Sequence, residues 1–236
     1  MQTGPQPACR PDRPGPHPGP GGPGRDREVG LRPGAVDAVV NGAWSRRGEF
    51  VGPEIHGKTV GVIGFGNIGA RVGAILREGF GARILAHDPF LDDDTIAKRG
   101  GNPVTLEELL SRSDLISLNS SGTFDNRPIL GETEFSVMKR GVFIVNTSRG
   151  SLIDEAALSS ALDDQVVAGV GLDVVSKEPA DSSSNPLVGR DNVLVTPHIG
   201  AYSVDALGRM GSNVVHDIVA VSEGRLPNET VLPPQR

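Results

Sequence analysis

Thr59-Val60-Gly61-Val62-Ile63-Gly64-Phe65-Gly66-Asn67-Ile68-Gly69 is the stretch from which the rest of this chain is read. Its first five residues form a short apolar run, as expected of a strand buried on both faces. The spacing after it predicts a helix from about Asn67 to Gly79. Between the two stand Gly64, Gly66 and Gly69. The first glycine permits a tight turn, the second lets the backbone approach a pyrophosphate, and the third lets helix and strand pack closely. The helix start adds free N–H groups and the positive end of its dipole, both favourable to an anion. The next strand candidate, Ala82–His87, ends at Asp88, 19 residues past Gly69. An acid at that place accepts hydrogen bonds from an adenosine ribose and repels a 2′-phosphate, which favours NAD over NADP. Arg83 and Lys98 stand nearby in sequence and leave NADP open.

Strand and helix signals alternate beyond this unit. Thr105-Leu106-Glu107-Glu108 is a capping box, with Val104 and Leu109 placed to staple it. Leu115–Leu118, Val142–Val145, Val166–Val174 and Val193–Val195 read as further buried strands. Asp154 can cap a helix reaching about Asp163. A last helix is predicted from Ser203, with an apolar stripe of Val204, Leu207, Val214, Val215 and Ile218 and with Gly224 at its end. The fold class expected is α/β, a doubly wound parallel sheet with helices on both faces.

Ligands of open α/β sheets bind beyond the carboxyl ends of the strands. Three candidate groups fall at such ends. Arg149 follows Val142–Val145, and a guanidinium there can hold a carboxylate through two parallel hydrogen bonds. Glu178 lies in the loop after the strand that ends near Asp173. His198, in Thr196-Pro197-His198-Ile199-Gly200-Ala201, follows Val193–Val195. A carboxylate beside an imidazole stabilises the imidazolium, and the pair suits general acid–base work. His17, His56, His87 and His216 have no such setting. No metal is expected.

From Gly57 to about Pro234 the chain resembles the D-isomer-specific 2-hydroxyacid dehydrogenases, a Rossmann-like group that includes phosphoglycerate dehydrogenases. The segments that carry the likeness are Gly57 to Gly69, Met138-Lys139-Arg140-Gly141, Asn146 to Asp154, Gly171-Leu172-Asp173-Val174 with Glu178-Pro179, and Thr196 to Gly200. The resemblance implies hydride transfer between NAD(H) and a small 2-hydroxy or 2-oxo acid. His198 would be the general acid, Glu178 its partner, and Arg149 the substrate anchor. Asp173 would hold the nicotinamide carboxamide. Asn67 and Ile68 would approach the pyrophosphate and Asp88 the ribose. Thr147, Ser148, Gly200 and Ala201 would line the nicotinamide side. A homodimer through the nucleotide-binding domain is also implied. Asn119-Ser120-Ser121-Gly122-Thr123 departs from the family, with Ser121 where proline is usual.

The expected organisation is a Pro/Gly-rich disordered tail over 1–30, a remnant of a substrate lobe with a linker over 31–56, the dinucleotide-binding domain over 57–201, and a C-terminal helix over 202–236 returning toward the substrate lobe. Half of residues 1–30 are Pro or Gly, too little apolar surface to offset ordering entropy. The substrate lobe that precedes the nucleotide domain in the family thus reads as missing or truncated. The alternative to an active oxidoreductase is therefore a catalytically impaired NAD(H)-binding module or remnant. A net charge of −6 and the absence of a basic stripe argue against nucleic acid. No apolar run reaches membrane-spanning length. A single cysteine, Cys9, rules out an internal disulfide and suits a cytoplasmic setting.

Overall fold

The computed structural model describes residues 33–122 and 127–227; the expected tail over 1–30, together with Thr123 and Pro234, lies outside them. The first helix, α1 (Pro33–Val40), and a 3-10 turn over Trp44–Phe50 lead into β1 (Thr59–Ile63), where every residue is buried. The next elements are α2 (Asn67–Phe80) and β2 (Arg83–His87). Gly81, in the left-handed conformation, ends α2 by donating to the carbonyls of Arg77 and Leu76, so the helix closes one residue beyond the expected Gly79.

Two short elements not foreseen in the sequence follow, α3 (Asp93–Lys98) and β3 (Asn102–Pro103). Six residues cannot display a helical period, but a cap is present: the Asp92 side chain accepts from Thr95 N–H. The capping box at Thr105 forms as expected and starts α4 (Leu106–Arg112). After β4 (Leu115–Leu118) comes α5 (Glu132–Val137), also unforeseen, and then β5 (Val142–Asn146). Asp154 caps α6 (Glu155–Asp163) through the amides of Ala156 and Ala157. The strands β6 (Val167–Leu172) and β7 (Val193–Val195) complete the sheet, and α7 (Val204–Ser222) follows Ser203 as its cap.

The seven strands lie in the order β3-β2-β1-β4-β5-β6-β7, all parallel. The order reverses between β1 and β4, which is the switch point where a crevice opens above the carboxyl ends. One face packs Val60, Val62, Phe65, Ile84 and Ile96 together. The other holds Leu109, Leu110, Ile116, Ile144 and Leu158 in a larger cluster. The doubly wound α/β class is therefore the observed one. The apolar stripe foreseen for α7 is real, yet it faces solvent: Val204 is 88 % exposed and Ile218 63 %.

Candidate active site

The glycine-rich turn forms the floor of the crevice. Gly64 sits at φ +84°, and a Cβ there would stand 2.7 Å from Ser120 N, so both its conformation and its contact with the turn after β4 exclude a side chain. Gly69 is held for a different reason: its Cβ would lie 2.0 Å from Gly64 O. Around Gly66 there is open space instead, the room that an approaching pyrophosphate needs. No side chain caps the start of α2, so its N–H groups remain available to an anion. Asn67 and Ile68 are exposed there.

Asp88 stands just past β2 and grips this turn. Its Oδ2 accepts from Phe65 N at 2.8 Å and its Oδ1 from Phe90 N at 3.0 Å. An ionised carboxylate has about four acceptor sites, which leaves capacity for a ribose hydroxyl. The cations singled out near Asp88 in sequence are not the ones that reach this turn. Arg83 hydrogen-bonds Thr59 Oγ1 at the amino end of the strands. Arg99, which sequence reading passed over, donates from Nη1 to Phe65 O at 2.8 Å.

Asn146, fully buried at the end of β5, organises the next loop. Its Oδ1 accepts from Ser148 N and its Nδ2 donates to Arg149 O. Ser148 Oγ donates to Leu118 O at 2.8 Å, which ties the loop to β4. Thr147 and Arg149 are exposed, and the Arg149 guanidinium donates to Ser148 O. A Cβ on Gly150 would lie 2.0 Å from the Val175 carbonyl, so the loops after β5 and β6 touch backbone to backbone.

The loop after β6 supplies the carboxylate. Glu178 Oε2 lies 2.9 Å from His198 Nδ1, while Oε1 accepts from Val175 N at 3.3 Å. The hydrogen bond to His198 is the main cause holding the Glu178 carboxyl below its ordinary range, against a smaller opposing effect of burial. Glu178 is thus ionised near neutrality and accepts from Nδ1–H, leaving Nε2 as the outward nitrogen. Both side chains are about half exposed. Arg149 forms no ion pair with Glu178 among the described residues, although its loop borders theirs.

His198 occupies the left-handed region, at φ +54°, which an L-residue keeps only when its surroundings impose it. Asp173 imposes it. This side chain, 6 % exposed, accepts from Thr196 Oγ1 at 2.6 Å, Ile199 N at 2.9 Å and Gly200 N at 2.7 Å. Burial alone would raise the Asp173 pKa. The hydrogen bonds from Thr196, Ile199 and Gly200 outweigh it and bring the group below its ordinary range. The structure therefore gives Asp173 the task of holding the His198 loop. Thr196 joins it as a positioning residue that spacing alone did not single out. Ala201 follows in the same exposed turn.

A cavity of about 510 Å³ lined by Ile55, Lys58, Val60, Leu115 and Phe143 lies at the amino end of the strands and contains none of these groups. Among the described residues no cluster of three metal-ligating side chains occurs, and no helix is long and apolar enough to cross a membrane.

Residues 33–200 match the family described as "D-isomer specific 2-hydroxyacid dehydrogenase, NAD binding domain". The chain is similar to a D-3-phosphoglycerate dehydrogenase of Archaeoglobus fulgidus, with 39 % identity over 81 % of this chain and 36 % of the relative. Against a glyoxylate reductase of Korarchaeum cryptofilum it shows 38 % identity over 77 % of this chain and 54 % of the relative. The crystal structure of a glyoxylate reductase from Paecilomyes thermophila superposes with a TM-score of 0.75 at 36 % identity, covering 85 % of this chain and 60 % of that one. The chain spans about half or less of the length of these curated relatives.

Proposed function

This chain belongs to the D-isomer-specific 2-hydroxyacid dehydrogenase family, as its NAD-binding domain, and on that footing we propose that it acts as an oxidoreductase on a small 2-hydroxy or 2-oxo acid. The observation that carries the reading is the 2.9 Å contact of His198 with Glu178, set above the same sheet end as the glycine turn. The residues present fit the dinucleotide: Gly66 leaves room, α2 offers free N–H groups, and Asp88 has acceptor capacity. NAD(H), when bound, supplies or accepts the hydride.

This chain's own residues do the rest. Glu178 orients the imidazole through Nδ1, so His198 Nε2 gives a proton to the substrate oxygen during reduction and takes it back during oxidation. Arg149 turns from the Ser148 carbonyl to the substrate carboxylate, a charge-assisted pairing stronger than the one it leaves. Asp173 and Thr196 keep the His198 loop in register, and the ends of β5 and β7 present Thr147, Ser148, Gly200 and Ala201 to the nicotinamide side. Residues 57–201 form the cofactor-binding unit in this reading, and α7 belongs with a substrate-binding part. The homodimer expected through the nucleotide-binding domain is part of the same proposal; a monomer by gel filtration at micromolar concentration would count against it.

A second reading, an NAD(H)-binding module without turnover, is favoured by the outward Arg149 side chain, which is turned onto its own loop. One assay separates the two. The purified chain is mixed with NADH and, in turn, glyoxylate, hydroxypyruvate, pyruvate, phosphohydroxypyruvate or 2-oxoglutarate, and NADH absorbance is followed. Turnover that falls roughly 10²–10⁴-fold in His198→Ala supports the enzyme. Calorimetric binding of NADH with no turnover of any acid supports the module.

A further inference from the structure

We propose that Arg99 lets this chain accept a dinucleotide carrying a 2′-phosphate on its adenosine ribose, in addition to one with a free 2′-hydroxyl. The proposal rests on the dinucleotide reading of the glycine turn.

The local chain explains why Arg99 reaches that turn. Asp92 caps α3, and Ile96, 2 % exposed, buries against Val60, Val62 and Phe65. Residues three apart share a helix face, so Arg99 leaves the end of α3 on the side that Ile96 has docked. Gly100, at φ +84°, then reverses the chain, and Gly101 packs so close to the Phe65 ring that a Cβ would stand 2.7 Å away. The guanidinium is thereby held over the turn, with Nη1 donating to Phe65 O at 2.8 Å.

Phe65 N is the donor to Asp88 Oδ2, also at 2.8 Å. The carboxylate and the guanidinium thus grip the two ends of one residue, yet they form no ion pair with each other among the described residues. Arg99 spends one of its five N–H groups on Phe65 and is otherwise exposed. A ribose resting on Asp88 therefore has an unneutralised cation within the same small region. An acid alone repels a 2′-phosphate, whereas an arginine nearby accommodates it. A guanidinium also suits a phosphate better than an ammonium does, because its fork can donate two parallel bonds. With one charge of each sign at the ribose, discrimination between the two dinucleotides is shallow.

Isothermal titration calorimetry of the full chain with NADH and with NADPH tests this by binding alone. The unmodified chain is expected to bind NADPH within about tenfold of NADH, and NADPH binding is expected to weaken more steeply with added salt. Arg99→Leu, which keeps an apolar stem against the turn, should lose roughly tenfold or more in NADPH affinity, about 1.4 kcal/mol per tenfold. Its NADH affinity should stay within about threefold, and Arg99→Lys should recover part of the NADPH binding. Equal loss of both dinucleotides in Arg99→Leu would show a residue that only positions the turn and would overturn the proposal. So would an unmodified chain that binds NADH but not NADPH. Should Arg99→Leu fail to fold, Arg99→Gln carries the same comparison: an unchanged ratio of NADPH to NADH affinity in that variant overturns the proposal. A folded chain that binds neither dinucleotide would instead overturn the underlying reading of the site.

Discussion

Asp173→Ala should loosen the His198 loop while leaving the sheet intact. The buried carboxylate accepts three hydrogen bonds, from Thr196 Oγ1, Ile199 N and Gly200 N. A hydrogen bond to a charged group contributes about 1.5–3 kcal/mol. Ile199 and Gly200 lie in an exposed turn, so their freed N–H groups can turn to water, which places the expected loss near the low end of the three bonds, at about 4.5 kcal/mol in all. For a domain of this size that lowers Tm by roughly 9–18 °C. The acid limb carries the signature of the carboxylate. Its folded pKa lies below its ordinary value, so its stabilisation is present above the unfolded pKa of about 3.9 and is lost as pH falls through the folded one. The gap in stability between the native chain and Asp173→Ala should therefore be full at neutral pH and shrink below about pH 4. Calorimetric melting over that range measures both, and amide exchange at Ile199 and Gly200 localises the effect. A Tm change under about 2 °C, unaltered exchange at those amides, or a gap that does not depend on pH would refute the reasoning.

Gly69→Ala and Gly66→Ala should part company: the first drives a methyl to within 2.0 Å of Gly64 O and should cost about 1–3 kcal/mol or more. The second enters open space, so Tm should hold while NADH binding weakens; denaturant melts and calorimetry read the two effects. Gly150→Ala should destabilise by more than about 3 kcal/mol, since its methyl would meet the Val175 carbonyl at 2.0 Å, and urea unfolding would report it. Thr105→Ala removes the acceptor for Glu108 N at 3.2 Å and should cost about 1 kcal/mol by the same measurement, with NADH binding unchanged.

The sequence alone determined the elements whose causes are local. Buried parallel strands are short apolar runs because both of their faces are covered, and β1, β4 and β7 fall within the stretches so read. Helix starts depend on a side-chain acceptor two or three residues from its amide, so Thr105 and Asp154 were legible as caps, and the start of the last helix was placed at Ser203. The glycine turn was legible because backbone geometry restricts residue type directly. Elements too short to show a period, α3, α5 and β3, were not legible. Tertiary structure alone decided which side chains meet. Asp173 holds the His198 loop from 25 residues away, Gly150 is glycine because a second loop lies against it, and Arg99 rather than Arg83 or Lys98 reaches the glycine turn that Asp88 grips. Each depends on where a strand end or helix face comes to rest after packing, and which side chain reaches which backbone atom across a fold leaves no period or spacing in the chain.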